Sequence, residues 1–201
     1  MTEMTQDEVK AALTPYHSRI KSVVEKGYQE WKTVDAFRKT AGFGPMLYDR
    51  SVANYIFDAI ARNAQTLFAG DRSIKVRPET QTIKFMFDGK VIARFKKGDD
   101  CHMGSNIPTQ AIMDYLDPQQ SLPGFPAAAA KVEIVWAADD IGTAIDKITV
   151  VARRGNTMLW NYHIDDDAAD DTGIFEFPTA PAPDEFSPLV VVRPPKKQTE
   201  S

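Results

Sequence analysis

TIKFMFDGKVIARFKKGDDCHMGSNIPTQ, residues 82–110, joins apolar strand, clustered positive charge and a polar loop in one segment. Two apolar-rich strands flank Asp88–Gly89, a pair suited to the tight turn of a β-hairpin. The second strand ends in a cationic cluster of Arg94, Lys96 and Lys97. A polar loop follows, and Pro108 suits the first turn of a short helix over 108–116.

The register of this hairpin bears on function. A two-residue loop sets Phe87 opposite Lys90 and Ile83 opposite Arg94, which puts a guanidinium beside aromatic rings where it needs an anionic partner or ligand. A three-residue loop pairs Phe87 with Val91, Phe85 with Ala93 and Ile83 with Phe95, and Arg94 joins Lys84 on the other face. One residue of slip exchanges the faces of the whole second strand. The three-residue register gathers the apolar side chains and is favoured on packing. In both registers Arg94 and Lys96 share a face.

Upstream, residues 6–27 carry Leu13, Tyr16, Ile20, Val23 and Val24 at helical spacing, with Thr5 and Glu8 placed as a capping box. Pro15 predicts a helix start or a kink. Gly27 either ends the helix or is absorbed, because Tyr28, Trp31, Val34 and Phe37 continue the stripe up to the breakers Gly42, Gly44 and Pro45. A second helix is expected over 48–68, closed by Gly70. On it Asp58 and Arg62 stand four apart, a spacing that suits a solvated ion pair, with Arg62 facing the sheet as the sharper reading. Residues 73–78 add a strand before the hairpin.

Downstream, Pro123–Gly124–Phe125–Pro126 makes a rigid connection, and strands are expected over 132–137, 145–154 and 157–164. Gly155–Asn156 signals a two-residue turn between the last two. Regular pairing around it would put Ile148, Val150 and Ala152 on the face of Leu159, with Val151, Met158, Trp160 and Tyr162 opposite. The predicted class is α+β: two N-terminal helices packed on a mostly antiparallel sheet, in the order ααβββαβββ. This makes one domain over 1–164. Residues 165–201 form an acidic, proline-rich tail, flexible or docked at the periphery, in which the apolar islands 174–177 and 189–192 stand out.

Composition narrows the classes further. The tail has nine acids against three bases, so the net charge of −4 conceals a body near +2. That is well short of a dedicated nucleic-acid binder, although a local basic patch remains compatible with one. The single Cys101 excludes an intramolecular disulfide and fits a reducing compartment. The N-terminus has no apolar core of a signal, and no apolar run approaches the roughly 18 residues of a membrane span. A cytoplasmic protein without membrane contact is expected.

No metal motif occurs: His17, His102 and His163 are scattered, and neither HExxH nor CxxC is present. Phosphate-loop and GxSxG patterns are missing as well, and no cofactor is expected. What remains is a cluster of polar groups near the quoted stretch. Arg94, Lys96, Thr109 and Gln110 are the catalytic candidates of a metal-independent, phosphate-handling enzyme. Arg94, Lys96, Lys97 and Asn106 are the anion-binding candidates. The bland alternative is a solvated strand end beside a capped helix start. Trp160, Phe175 and Phe177 are the candidates for partner contact.

Arg94–Phe95–Lys96–Lys97, Asn106 with Pro108–Thr109–Gln110, Leu122–Pro123–Gly124 and a final hairpin with Trp160 together carry a resemblance. Over about residues 74–164 the chain resembles uncharacterised bacterial proteins encoded beside regulators that join an XRE-type helix-turn-helix to an ImmA-like metallopeptidase domain. The resemblance implies a toxin-like partner in a toxin–antitoxin or phage-related module, held in check by a cognate antitoxin or regulator. Three functions therefore stand open. They are an effector that acts through the basic cluster on an acidic surface or nucleic acid and is restrained by a partner protein, a metal-independent nuclease or other phosphate-handling enzyme, and a non-catalytic adaptor of a mobile element.

Overall fold

The computed structural model describes residues 4–80, 82–99, 103, 104 and 106–164, and in it the chain enters its first helix through a reciprocal cap. Thr5 Oγ1 accepts from the Glu8 N–H at 3.3 Å, and Glu8 Oε2 accepts from the Thr5 N–H at 2.7 Å, which opens α1 (Gln6–Leu13). Pro15 has no N–H for the helix ladder. The chain responds with one 3-10 turn, Thr14–Tyr16, before α2 (His17–Thr40) resumes.

Gly27 is absorbed into α2, and for a packing reason. A Cβ built there would stand 2.5 Å from Ile60 Cγ1 and 2.7 Å from the Ile60 backbone nitrogen of α3 (Asp49–Phe68). Only a glycine lets the two helices lie this close. Arg62 corrects the expected pairing along its own helix, because its Nη2 donates across to Glu30 of α2 at 2.7 Å. Tyr55 Oη donates to the same carboxylate oxygen at 3.1 Å. Arg62 serves the helix–helix seam and does not face the sheet.

The sheet has six strands in sequence order: β1 (Ile74–Pro78), β2 (Ile83–Phe87), β3 (Val91–Lys97), β4 (Ala130–Ala138), β5 (Ile145–Arg154) and β6 (Thr157–His163). All neighbours are antiparallel except β3 and β4. Parallel neighbours need a long return path, and here it carries α4 (Gln110–Leu116). That helix begins two residues after Pro108, with Thr109 as its N-cap. Pro108 therefore lies outside it, which corrects the expected start.

The architecture is α+β, and strand alternation assigns the faces. Phe85, Phe87 and Phe95 point toward α1–α3, where Phe68 meets Phe85 and Phe87 edge-on at 5.7 and 5.8 Å. The intervening residues Met86 and Ile92 point the other way and pack with Tyr115, Leu116 and Leu122 at α4. Among the described residues, no helix is long and apolar enough to cross a membrane.

The hairpins around Asp88–Gly89 and Gly155–Asn156 each leave one residue out of the regular pairing. At Asp88–Gly89 both central residues have positive φ, +49° and +68°, as a two-residue turn requires. The ladder nevertheless pairs Phe87 with Val91 and Phe85 with Ala93. Lys90 is the residue left over, so the turn chemistry of one register coexists with the pairing of the other.

In the second hairpin Ala152 pairs with Trp160 and Arg153 with Met158, leaving Leu159 as the extra residue. This reverses the expected faces. Trp160 and Tyr162 join Ile148, Val150 and Ala152 on the helix side, while Leu159 is left 41% exposed.

Candidate functional site

The face of the sheet away from α1–α3 carries the charged residues, and parallel pairing brings the central ones together. Arg94 of β3 lies beside Glu133 of β4 in register. Arg94 donates from Nε at 3.1 Å and from Nη2 at 2.6 Å, both to Glu133 Oε1. From β5, Arg153 Nη1 donates to Glu133 Oε2 at 3.2 Å. One carboxylate thus takes a guanidinium on each oxygen. Arg94 and Glu133 are 1% and 0% exposed, so the centre of this network is dry.

The remaining donors are also engaged. Arg94 Nη2 donates to Asn106 Oδ1 at 2.9 Å, and Asn106 Nδ2 donates to the Gly104 carbonyl at 3.0 Å. Arg153 donates to the carbonyls of Gly104 and Gly155 at 2.9 and 2.7 Å. The Arg94 guanidinium also lies 4.2 Å over the Tyr115 ring, a cation–π contact made in a desolvated place. Tyr115 Oη donates to the carbonyls of Ile92 and Val132 at 3.1 and 2.5 Å, which ties α4 to the parallel pair, and burial pushes its phenol far up.

Gly104 closes the loop over the network. A Cβ there would meet Lys96 Cβ at 2.8 Å and Lys96 Cγ at 2.9 Å. Lys96 itself is half-buried, and burial pushes its ammonium below the usual lysine range. Arg94 and Arg153 act in the same direction, against Glu133. The folded state therefore binds this proton less tightly than the unfolded chain does. Stability should rise as pH climbs through the lowered folded value toward the ordinary 10.5. Lys96→Met should accordingly stabilise the protein near pH 7, by a margin that narrows toward pH 10. Urea denaturation at both pH values checks this, and a destabilised Lys96→Met at pH 7 would contradict it.

The predicted site residues divide. Arg94, Lys96 and Asn106 come together, but Arg94 already binds an anion, the carboxylate of Glu133. An external phosphate would have to displace a buried, doubly paired group. Lys97 is exposed at the strand end. Thr109 and Gln110 are exposed and spend their hydrogen bonds within α4, on the Ile112 N–H and on Asp114. Trp160 is half-buried on the helix side, stacked on Tyr162 at 6.5 Å. Phe175 and Phe177 lie outside the described residues, as do Cys101 and His102.

Glu133 and Arg153 escaped the sequence reading. The available signal was a lone acid between Val132 and Ile134, in a strand otherwise apolar enough to be buried. Its partners depend on the parallel pairing, which no local pattern announces. Among the described residues, no group of three or more histidine, cysteine or acidic side chains could hold a metal ion.

Two other features bear on binding. A cavity of about 370 Å³ lies between the alanine run 127–130 and the β5–β6 hairpin, with Trp160, Leu159 and Met4 in its wall. Its cations are committed. Arg153 belongs to the network, and Lys131 Nζ donates to the carbonyls of Asp114 at 2.9 Å, Gln120 at 2.7 Å and Asp117.

The second feature is the tip of the α2–α3 helical hairpin. Phe37, Phe43, Leu47 and Tyr48 are 67%, 58%, 87% and 60% exposed. The Arg38 guanidinium lies 5.8 Å from the centre of the Phe43 ring, and that of Arg50 lies 5.2 Å from the centre of the Tyr48 ring. Exposed apolar side chains thus gather in one helical connection beside two cations, a composition that suits an interaction site.

No family model matches the chain, and no solved structure matches it. It is similar to the chloroplastic S-adenosyl-L-methionine-dependent uroporphyrinogen III methyltransferase of Arabidopsis thaliana, at 28% identity over 144 residues. The match covers 65% of this chain and 38% of that protein, so the chain spans well under half the length of its curated relative.

Proposed function

We propose that this protein is a toxin-like effector of a bacterial toxin–antitoxin or phage-related module, acting by contact with a partner and restrained by a regulator protein. The observation that supports the contact is the α2–α3 tip. Four large apolar side chains are exposed there, with Arg38 and Arg50 over two of their rings, while the apolar stripes of α1–α3 pack into the core. Large exposed apolar residues in one patch cost solubility and gain nothing for the fold, so a partner is the economical reason for them. The module itself rests on the resemblance carried by residues 94–97, 106–110 and 122–124.

The alternative, a metal-independent nuclease using Arg94, Lys96, Thr109 and Gln110, has less support. Arg94 is buried against Glu133, and Thr109 and Gln110 bond within their own helix. A non-catalytic adaptor would use the same tip and differs only in leaving growth untouched.

Expression of the chain alone, and together with the adjacent regulator gene, tests the reading. The expected result is growth arrest that the regulator relieves, with capture of the regulator or the cellular target by the wild type. Capture should be lost in Phe43→Ser/Leu47→Ser, while its circular dichroism stays unchanged. Normal growth with capture retained in the double variant would sink the proposal. Degradation of total RNA or DNA by the wild type but not by Lys96→Gln would favour the nuclease instead.

A further inference from the structure

We propose that the α2–α3 tip is covered by the chain's own acidic, aromatic segment, residues 165–177, so that a partner must displace this segment to bind. The inference rests on the preceding reading of the tip as an interaction surface and adds its occupant.

Charge is the first reason. Residues 37–50 contain Arg38, Lys39 and Arg50 against the single acid Asp49, a net of +2. Residues 165–177, DDDAADDTGIFEF, contain six acids and no base. Lys39 has a local partner in Asp35 at 2.8 Å, but Arg38 and Arg50 lie over the rings of Phe43 and Tyr48. The tip therefore presents positive charge and aromatic surface at the same points. The segment has the complementary pairing, carboxylates followed at once by Ile174, Phe175 and Phe177.

Reach is the second reason. Ile164 N–H donates to the Ile148 carbonyl at 2.9 Å, Ile148 pairs with Trp136, and the Trp136 ring lies 6.0 Å from that of Tyr28 in α2. Ile164 also lies two residues past Tyr162, whose Oη meets His17 at 3.2 Å, so the last described residue leaves the sheet beside the first half of α2. From His17 the helix climbs about 35 Å to Thr40. Phe175 is the eleventh residue after Ile164 and Phe177 the thirteenth, and extended these lengths span about 36 and 43 Å. The segment is long enough for its aromatic residues to reach the tip of the same molecule, with its aspartates trailing along the cationic side.

The helices themselves leave the surface open. Trp31 is the last buried residue of α2, and Ile56 is the first buried residue of α3. Val34, Val52 and Tyr55 still pack in part against the shared core, and beyond them Phe37, Phe43, Leu47 and Tyr48 are exposed. Docking of residues 165–177 would bury those side chains and place carboxylates near Arg38 and Arg50. The electrostatic part of the contact would weaken with salt.

The test uses the full chain with Cys101→Ser, a cysteine at the tip (Gly44→Cys) and one in the segment (Thr172→Cys). A Cβ at Gly44 meets nothing within 4 Å, so the tip is not disturbed. A control pairs Thr172→Cys with Gln65→Cys, an exposed position toward the opposite end of α3. Under mild oxidation the 44–172 disulfide should form within the monomer at least about tenfold faster than the 65–172 disulfide. Adding Phe43→Ser/Leu47→Ser should bring it down to the control rate, and 1 M salt should slow it.

Equal rates for the two pairs would overturn the docking. If the double variant at the same time fails to capture the regulator that the wild type captures, the proposed function survives without its tail. A 44–172 disulfide that appears only between molecules, rising with concentration, would overturn docking within one chain and assign the segment to a second copy.

Discussion

Glu133→Gln is expected to destabilise the protein by about 3–5 kcal/mol, the cost of leaving a buried charge without its partner. The single carboxylate pairs with Arg94 through one oxygen and Arg153 through the other, at 2.6 and 3.2 Å, and neither guanidinium has appreciable contact with water. Removing the charge leaves two cations facing each other across a neutral amide, with half-buried Lys96 adding a third. Arg94→Met should cost clearly less. Glu133 keeps Arg153, and the methionine fills much of the arginine's volume over Tyr115. Urea denaturation of the three proteins gives the order directly. A Glu133→Gln variant within 1 kcal/mol of wild type, or one more stable than Arg94→Met, would show that the network is not the electrostatic centre of this face. Salt provides a second check, because screening by added salt should change the cost little for so dry a group.

Gly27→Ala is expected to cost about 1–3 kcal/mol, although the same change in an open helix gains about 1 kcal/mol. The sign carries the information. Contacts of 2.5 and 2.7 Å from the new methyl to Ile60, one of them to backbone nitrogen, cannot be relieved by turning a side chain. The two helices must part, and the Tyr55–Glu30–Arg62 hydrogen bonds along the same seam loosen with them. Gly27→Val should cost more than Gly27→Ala. Gly44→Ala, where the added carbon meets nothing, should be close to neutral. Thermal midpoints of the three variants decide it, and a stabilised Gly27→Ala would mean that α2 and α3 do not lie as close as described.

Much of the fold was legible because it depends on near neighbours in sequence. Thr5 and Glu8 are three residues apart and cap the helix that they predict. Pro15 lacks an N–H wherever it stands, so the interruption of the helix follows from its position alone. The apolar alternation of Ile83, Phe85 and Phe87 calls for partners on one face, and the three-residue register supplies Val91 and Ala93. The bulges were harder to see. Asp88–Gly89 and Gly155–Asn156 announce turns, but whether the next residues pair or slip depends on what each face must bury. At Lys90 the slip produced the favoured register. At Leu159 it reversed the faces, because Trp160 and Tyr162 gain more against α1 and the helix-side core than in the regular pairing.

The candidate site shows the same division more sharply. By itself the sequence determined that Arg94 and Lys96 share a strand face, that this strand runs into a polar loop, and that the chain makes an α+β body with an acidic stretch after it. It could not determine what Arg94 meets. Glu133 is 39 residues away and becomes its neighbour only because β3 and β4 pair in parallel, a long-range choice made by the crossover through α4. Only the tertiary arrangement shows that Arg94 sits in a closed, paired network with Glu133 and Arg153, and that large apolar side chains stand exposed at the α2–α3 tip. The physical reason is that turns, caps and alternation are set by bonds between near neighbours. Burial and charge pairing are set by whichever distant strand the packing of the whole sheet brings alongside.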